Sequence, residues 1–163
     1  MLTSKRNRGM RWSRTRAFTL LELMAAVVLI ALLAVIAVPA YHGYAERAQT
    51  ARAISDIGKI ALELERYRLA HDGSPPDSLG QLGMAVPLDP WDRSYEYLSF
   101  ANLTNSGRGK MRKDRNLVPI NTEYDLYSRG ADGDTKPPLT AKPSQDDIVR
   151  ANDGGFIGKA EDY

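Results

Sequence analysis

Three aspartates are the residues of this sequence best suited to chemistry. The stretch SRGADGD, at Ser128–Asp134, holds Asp132, and SQDDI, at Ser144–Ile148, holds the adjacent Asp146 and Asp147. Carboxylates placed side by side repel each other unless a cation or a proton intervenes. A hard cation such as Ca2+ takes about six to eight oxygens from carboxylates, carbonyls and water. The three aspartates would supply part of that shell. The D-x-D-x-D-G register of an EF-hand is absent, so that loop type is excluded. Asp-Gly clusters also make ordinary solvated turns, and spacing alone leaves both readings open.

A fourth carboxylate stands where none is expected. Glu22 lies in RAFTLLELMAAVVLIALLAVIAVPAYHG, at Arg16–Gly43, and Leu23–Ala40 after it are 18 residues without a charge. That is about the length at which a membrane-crossing helix is favoured over a buried core helix. A carboxylate at the bilayer centre would cost about 2.5–3.5 kcal/mol, and less near an edge. A plain signal anchor with an incidental Glu is the simplest reading of this stretch. Other chemistry is lacking. His42 and His71 are far apart in sequence, and no nucleophile–base pair or phosphate loop is visible. No enzyme is expected.

The charge is unevenly spread over the 163 residues. Six of the 22 basic residues (Lys5, Arg6, Arg8, Arg11, Arg14 and Arg16) precede the apolar run, with no acid among them. The rest of the chain then has 16 basic against 20 acidic residues, a net of −4. Six cations ahead of an apolar run predict a cytoplasmic N-terminus. The pI of about 8.9 therefore describes the leader, and no nucleic-acid partner is expected. A second basic group, GRGKMRKDRNLVP at Gly107–Pro119, reads as a solvated loop. It could also touch a neighbouring subunit or phosphates, but no aromatics interleave it as a stacking platform would require. Cysteine is absent, so an exported domain would have to fold without disulfides.

These residues need elements to hold them. No small-x-small cleavage site with a polar flank follows the apolar run, which flows directly into Tyr41–Ala70 and so reads as retained. In that second stretch Ala51, Ile54, Ile57, Ala61, Leu64 and Tyr67 recur at spacings of three and four. The pattern predicts an amphipathic helix with one packing face. Residues 18–70 together read as one long helix, kinked at Pro39, which lacks a backbone donor. HDGSPPDSLGQLG then marks a loop. Strands are predicted at 94–100 and at Tyr124–Ser128, with a short third at Gly155–Gly158. The sum is an α+β arrangement, with a small antiparallel sheet packed on the amphipathic half of the helix.

The stretch Ala17-Phe18-Thr19-Leu20-Leu21-Glu22-Leu23-Met24 resembles the class III signal of type IV pilins and type II secretion pseudopilins. That family has a basic leader, a small residue, Phe-Thr-Leu-(Leu/Ile)-Glu, an apolar helix and a helix proline, here Pro39. The resemblance implies cleavage by a prepilin peptidase between Ala17 and Phe18 and N-methylation of Phe18. Ala17 stands where the family nearly always has Gly. It further implies a basic leader over 1–17, a transmembrane and filament-core helix over 18–41, an amphipathic helix over 42–70 and a globular periplasmic domain over 71–163. Glu22 would pair with the Phe18 amine of a neighbouring subunit during assembly. The chain would sit in the inner membrane as a single pass before entering a periplasmic or extracellular helical filament.

Two further stretches resemble the major, G-type pseudopilin. One is Pro87–Tyr97, with Asp92 where Gly is common and Arg93 where a small residue is more usual; Pro90 and Trp91 read as a structural turn and plug. The other is the pair of acidic segments. The resemblance implies Ca2+ held by Asp132, Asp146, Asp147, the Arg129 carbonyl and an oxygen of Ser144, although the spacer Asp134–Pro143 is longer here and contains Pro137, Pro138 and Pro143. The partners implied are other copies of the chain, minor pilins or pseudopilins, the peptidase and an inner-membrane assembly platform. The expected role is a secretion pseudopilin. A type IV pilus subunit for adhesion, motility or DNA uptake is the alternative, and an anchored binding domain without a fibre is the second.

Overall fold

The computed structural model describes residues 18–163. The basic leader and Ala17 lie outside the described residues. The chain divides after His42 into two compact units.

One helix, α1, covers Leu20–Ala70 and includes Pro39. It begins two residues later than the expected Phe18. Within the first unit every side chain from Phe18 to His42 is exposed, and the most apolar 18-residue window has a mean hydropathy of 2.9. A helix apolar all round needs a membrane or other helices around it. By length and composition this one can cross a bilayer.

In the second unit α1 turns amphipathic. Its buried apolar line is Ala53, Ile57, Ile60 and Leu64, with Ile54 and Ala61 half-buried at its side. The stripe is therefore rotated from the expected one, since Ala51 is exposed and Ala53 and Ile60 are fully buried. The face that packs on Tyr95, Tyr124, Leu126 and Ile148 also takes in Asp56, a charged residue only 7% exposed. Its carboxylate is supported by Lys59 at 3.1 Å, by Arg52 at 3.7 Å and by the Tyr95 hydroxyl at 3.4 Å. Those partners allow the face to centre over a residue that a purely apolar count would place at its edge.

Four strands follow: β1 at Glu96–Ser99, β2 at Tyr124–Ser128, β3 at Ile148–Ala151 and β4 at Phe156–Lys159. They form one antiparallel sheet in the order β1-β2-β3-β4. Three match expected strands. The additional strand is β3, whose sequence IVRA interrupts its apolar residues with an arginine. Arg150 is nevertheless 3% exposed, because its guanidinium stacks 4.3 Å from the centroid of the Tyr124 ring and donates to Asn121 Oδ1.

The sheet has two covered faces. Tyr124, Leu126 and Ile148 join Ala53, Ile57, Ile60, Leu64 and Tyr95 in one core, with Trp91 packed against it. The opposite face carries Val149 and Ala151, closed over by Ile120, Leu139 and Ala160. Part of that second cover comes from the segment read as a solvated loop. The Lys113 amide donates to the Pro137 carbonyl at 3.1 Å, and the Leu139 amide donates to the Lys113 carbonyl at 2.9 Å. Arg108, Lys110 and Arg115 of this segment are exposed as expected, whereas Arg112 is 2% exposed.

The aromatic core makes stability sensitive to alkali. Burial raises the Tyr124 hydroxyl to about 12, and it raises Tyr95 and Tyr97 further still. The folded state therefore keeps protons that the unfolded chain loses above about pH 10. Stability is fully present below that pH and is lost as pH rises toward the folded values. Tyr124 alone contributes roughly 3 kcal/mol to that loss. The urea midpoint should hold steady up to pH 10 and then fall, and it should fall less steeply in Tyr124→Phe. An unchanged slope in that variant would remove Tyr124 from the account.

Candidate functional site

Two places in the fold carry the residues singled out by sequence. The first is the start of α1. Thr19 precedes the helix, and its Oγ1 accepts the Glu22 amide at 3.2 Å. In return Glu22 Oε2 accepts the Thr19 amide at 3.3 Å and the Thr19 hydroxyl at 3.2 Å. This is a capping box, in which two amides left free by the first helical turn are satisfied reciprocally. A carboxylate here also meets the positive end of the helix dipole. The role was present in the sequence as Thr-x-x-Glu ahead of an apolar run. Phe18, just outside the helix, is 82% exposed. The other half of the expected scissile bond, Ala17, lies outside the described residues.

The second place is the acidic loop pair. The structure brings Ser128–Asp134 and Ser144–Asp147 together. Asp146 Oδ2 accepts the amides of Ala131 at 2.7 Å and Asp132 at 3.0 Å. Gly130 adopts φ +63° directly against the Asp146 backbone. The turn that supports them is held by the buried Asp89, whose carboxylate takes the amides of Trp91 and Arg93 and the Ser128 hydroxyl. Asp92, in that turn, has φ +62°, the conformation for which glycine is favoured.

Each expected side-chain ligand already has protein partners. Asp147 is fully buried, and its Oδ2 receives the Arg112 guanidinium and the Thr135 hydroxyl, the latter at 2.6 Å. Burial pushes its carboxyl up to about 6, against the pull of Thr135 and Arg112. Ser144 Oγ accepts the Lys136 amide and donates to the Lys136 carbonyl, both at 2.8 Å. Asp132 is exposed and its Oδ1 accepts the Asp134 amide at 2.8 Å. The Arg129 side chain, which is not the expected donor, reaches Glu96 at 2.5 Å. Asp147 Oδ1 is buried without a hydrogen-bond partner among the described residues, yet the guanidinium beside it opposes a second cation. No three acidic or histidine side chains converge as a metal-binding group among the described residues. The donor set therefore fits Ca2+ poorly. The residues missed by sequence reasoning are Arg112, Thr135 and the supporting Arg93, whose guanidinium donates to the Gly130 carbonyl.

No curated protein and no solved structure matches the chain. Residues 12–38 match the family described as the prokaryotic N-terminal methylation motif. The chain thus carries a type IV pilin-like prepilin signal at the head of a long helix followed by a four-stranded antiparallel sheet.

Proposed function

We infer that the chain is a structural subunit of a helical filament of the type II secretion pseudopilus kind. The observation that carries this reading is the methylation motif at residues 12–38, which runs directly into a helix whose apolar half is exposed on every side. Such a segment suits lipid and a bundle of like helices equally, so it can serve first as anchor and then as fibre core. In this reading prepilin peptidase cuts between Ala17 and Phe18, and Phe18 becomes the methylated N-terminus. The six leader cations keep that end cytoplasmic, and the Gly43–Tyr163 unit stands on the other side of the inner membrane. An assembly platform then lifts subunits into the fibre, alongside minor subunits. The lack of cysteine favours the secretion type over adhesive pilins that close a loop with a disulfide.

Glu22 is the residue on which assembly turns. An ionised carboxylate in a water-poor fibre core needs a partner, and the Phe18 amine of a neighbouring copy supplies one. The test is coexpression with a prepilin peptidase and the assembly proteins. Mass spectrometry should show loss of Met1–Ala17 and gain of a methyl group. Glu22→Ala should be cut normally yet yield no fibres. Thr19→Ala weakens the helix cap by about 1 kcal/mol but keeps the carboxylate, and it should still assemble. Uncut protein would favour an anchored domain outside any fibre. Fibres from Glu22→Ala would remove the pairing role while leaving the processing intact.

A further inference from the structure

We propose that Arg93 and Arg112 together take the part of a divalent cation in the Ser128–Asp147 loop pair, so that this loop is closed by the chain's own guanidinium groups. The loop region holds four carboxylates, Asp132, Asp134, Asp146 and Asp147. Two guanidiniums carry the same charge as one Ca2+. They also take the kinds of oxygen that a hard cation takes.

Arg112 donates to the Asp147 carboxylate, to the Thr135 hydroxyl at 2.6 Å and to the Lys136 carbonyl at 2.8 Å. Its plane lies 4.4 Å from the centroid of the Tyr127 ring. Arg93 donates to the Gly130 carbonyl and lies over Gly133, where an added Cβ would meet its Nη1 at 2.5 Å. Two further acidic oxygens are turned to backbone amides, Asp146 Oδ2 to Ala131 and Asp132, and Asp132 Oδ1 to Asp134.

A guanidinium suits this task better than an ammonium would. It is planar, always charged and able to serve two or three acceptors at once. Its position is secured from both sides: the Arg112 amide donates to the buried Asp125 carboxylate at 2.7 Å, and the Ile120 amide donates to the Arg112 carbonyl at 3.1 Å. The segment Gly107–Pro119 therefore does more than cover the sheet. It delivers the cation. A divalent ion approaching Asp147 would meet a like charge already seated on it.

The test uses the full chain in detergent, with CaCl2 and EGTA as probes and two readouts, thermal unfolding and hydrogen exchange over residues 130–147. The wild-type Tm should be the same in CaCl2 and EGTA, and calorimetric titration with CaCl2 should give no binding heat. Arg112→Ala leaves Asp147 buried without its partner and should lower Tm by roughly 10 °C or more. Its exchange over 135–147 should speed up at least about ten-fold, consistent with local opening. Arg93→Ala should lower Tm less, with faster exchange confined to 130–134. If Arg112→Ala does not fold, Arg112→Lys keeps the charge and loses the fork, and it should show the same local exchange with a smaller fall in Tm. A wild-type Tm that rises with CaCl2 overturns the proposal. So do arginine variants whose Tm and exchange match the wild type.

Discussion

Ile60→Ala should lower the stability of the Gly43–Tyr163 unit by about 2–5 kcal/mol. Ile60 has no solvent exposure and sits between Ile57 and Leu64 in the apolar line of α1. Truncation removes buried methyl groups and leaves a cavity that the sheet side of the core, with Tyr95, Tyr124, Leu126 and Ile148, can fill only in part. Against a total of about 5–15 kcal/mol for an ordinary domain, the loss is a large fraction. Leu62→Ala is the matched control. Leu62 lies two residues further on and is 54% exposed, so the change should stay within about 0.5 kcal/mol. Urea unfolding of both variants, read in the full chain in detergent, checks the pair. Equal losses would mean that the packing face of α1 is not the one described.

Gly130→Ala should be at least as damaging to the acidic loop, with an expected loss of about 3 kcal/mol or more. Two effects add. At φ +63° a side chain pays about 1–2 kcal/mol for the left-handed backbone. The new Cβ would also lie 2.3 Å from the Asp146 carbonyl oxygen and 2.5 Å from its Oδ2. Backbone cannot swing aside as a side chain can, so the segment Ser144–Asp147 must shift. That shift disturbs the hydrogen bonds of Asp146 and the ion pair of Asp147. Gly133→Ala offers the contrast. Its φ is also positive, at +77°, but the nearest atom is the tip of the Arg93 side chain, which can move. A smaller fall in Tm for Gly133→Ala than for Gly130→Ala is the expected order. The reverse order would show that Arg93, and not the Asp146 backbone, is the rigid part of the loop.

The apolar run, the amphipathic continuation of α1 and the strands at β1, β2 and β4 were legible because periodicity and turn residues report them directly. The helix start was legible too, through Thr19 and Glu22 at capping-box spacing. Strand β3 was hidden because four residues with a central arginine do not alternate, and only the Tyr124 ring above Arg150 makes that arginine a core residue. Asp56 was hidden in the helix stripe for a related reason: the Tyr95 hydroxyl that meets its carboxylate inside the core comes from 39 residues away. The nearness of the two acidic segments came from resemblance and not from spacing. What sequence could not show was who neutralises them. Arg112 stands in a run of basic residues that are otherwise solvent-facing, and nothing local distinguishes the one that turns inward. Its burial depends on Thr135, Lys136 and Asp147, between 23 and 35 residues away.

If the chain is cut as proposed, the capping box at the start of α1 has a consequence for what the cut changes. The side chains that satisfy the amides of Thr19 and Glu22 are those two residues' own, and both lie after the proposed cut between Ala17 and Phe18. Removing the leader takes no hydrogen-bond partner from this box. What it adds is a positive charge on Phe18, one residue ahead of the box and four ahead of Glu22. Under the proposed processing, the six cations of the leader give way to one amine placed directly ahead of a helix start whose cap is its own.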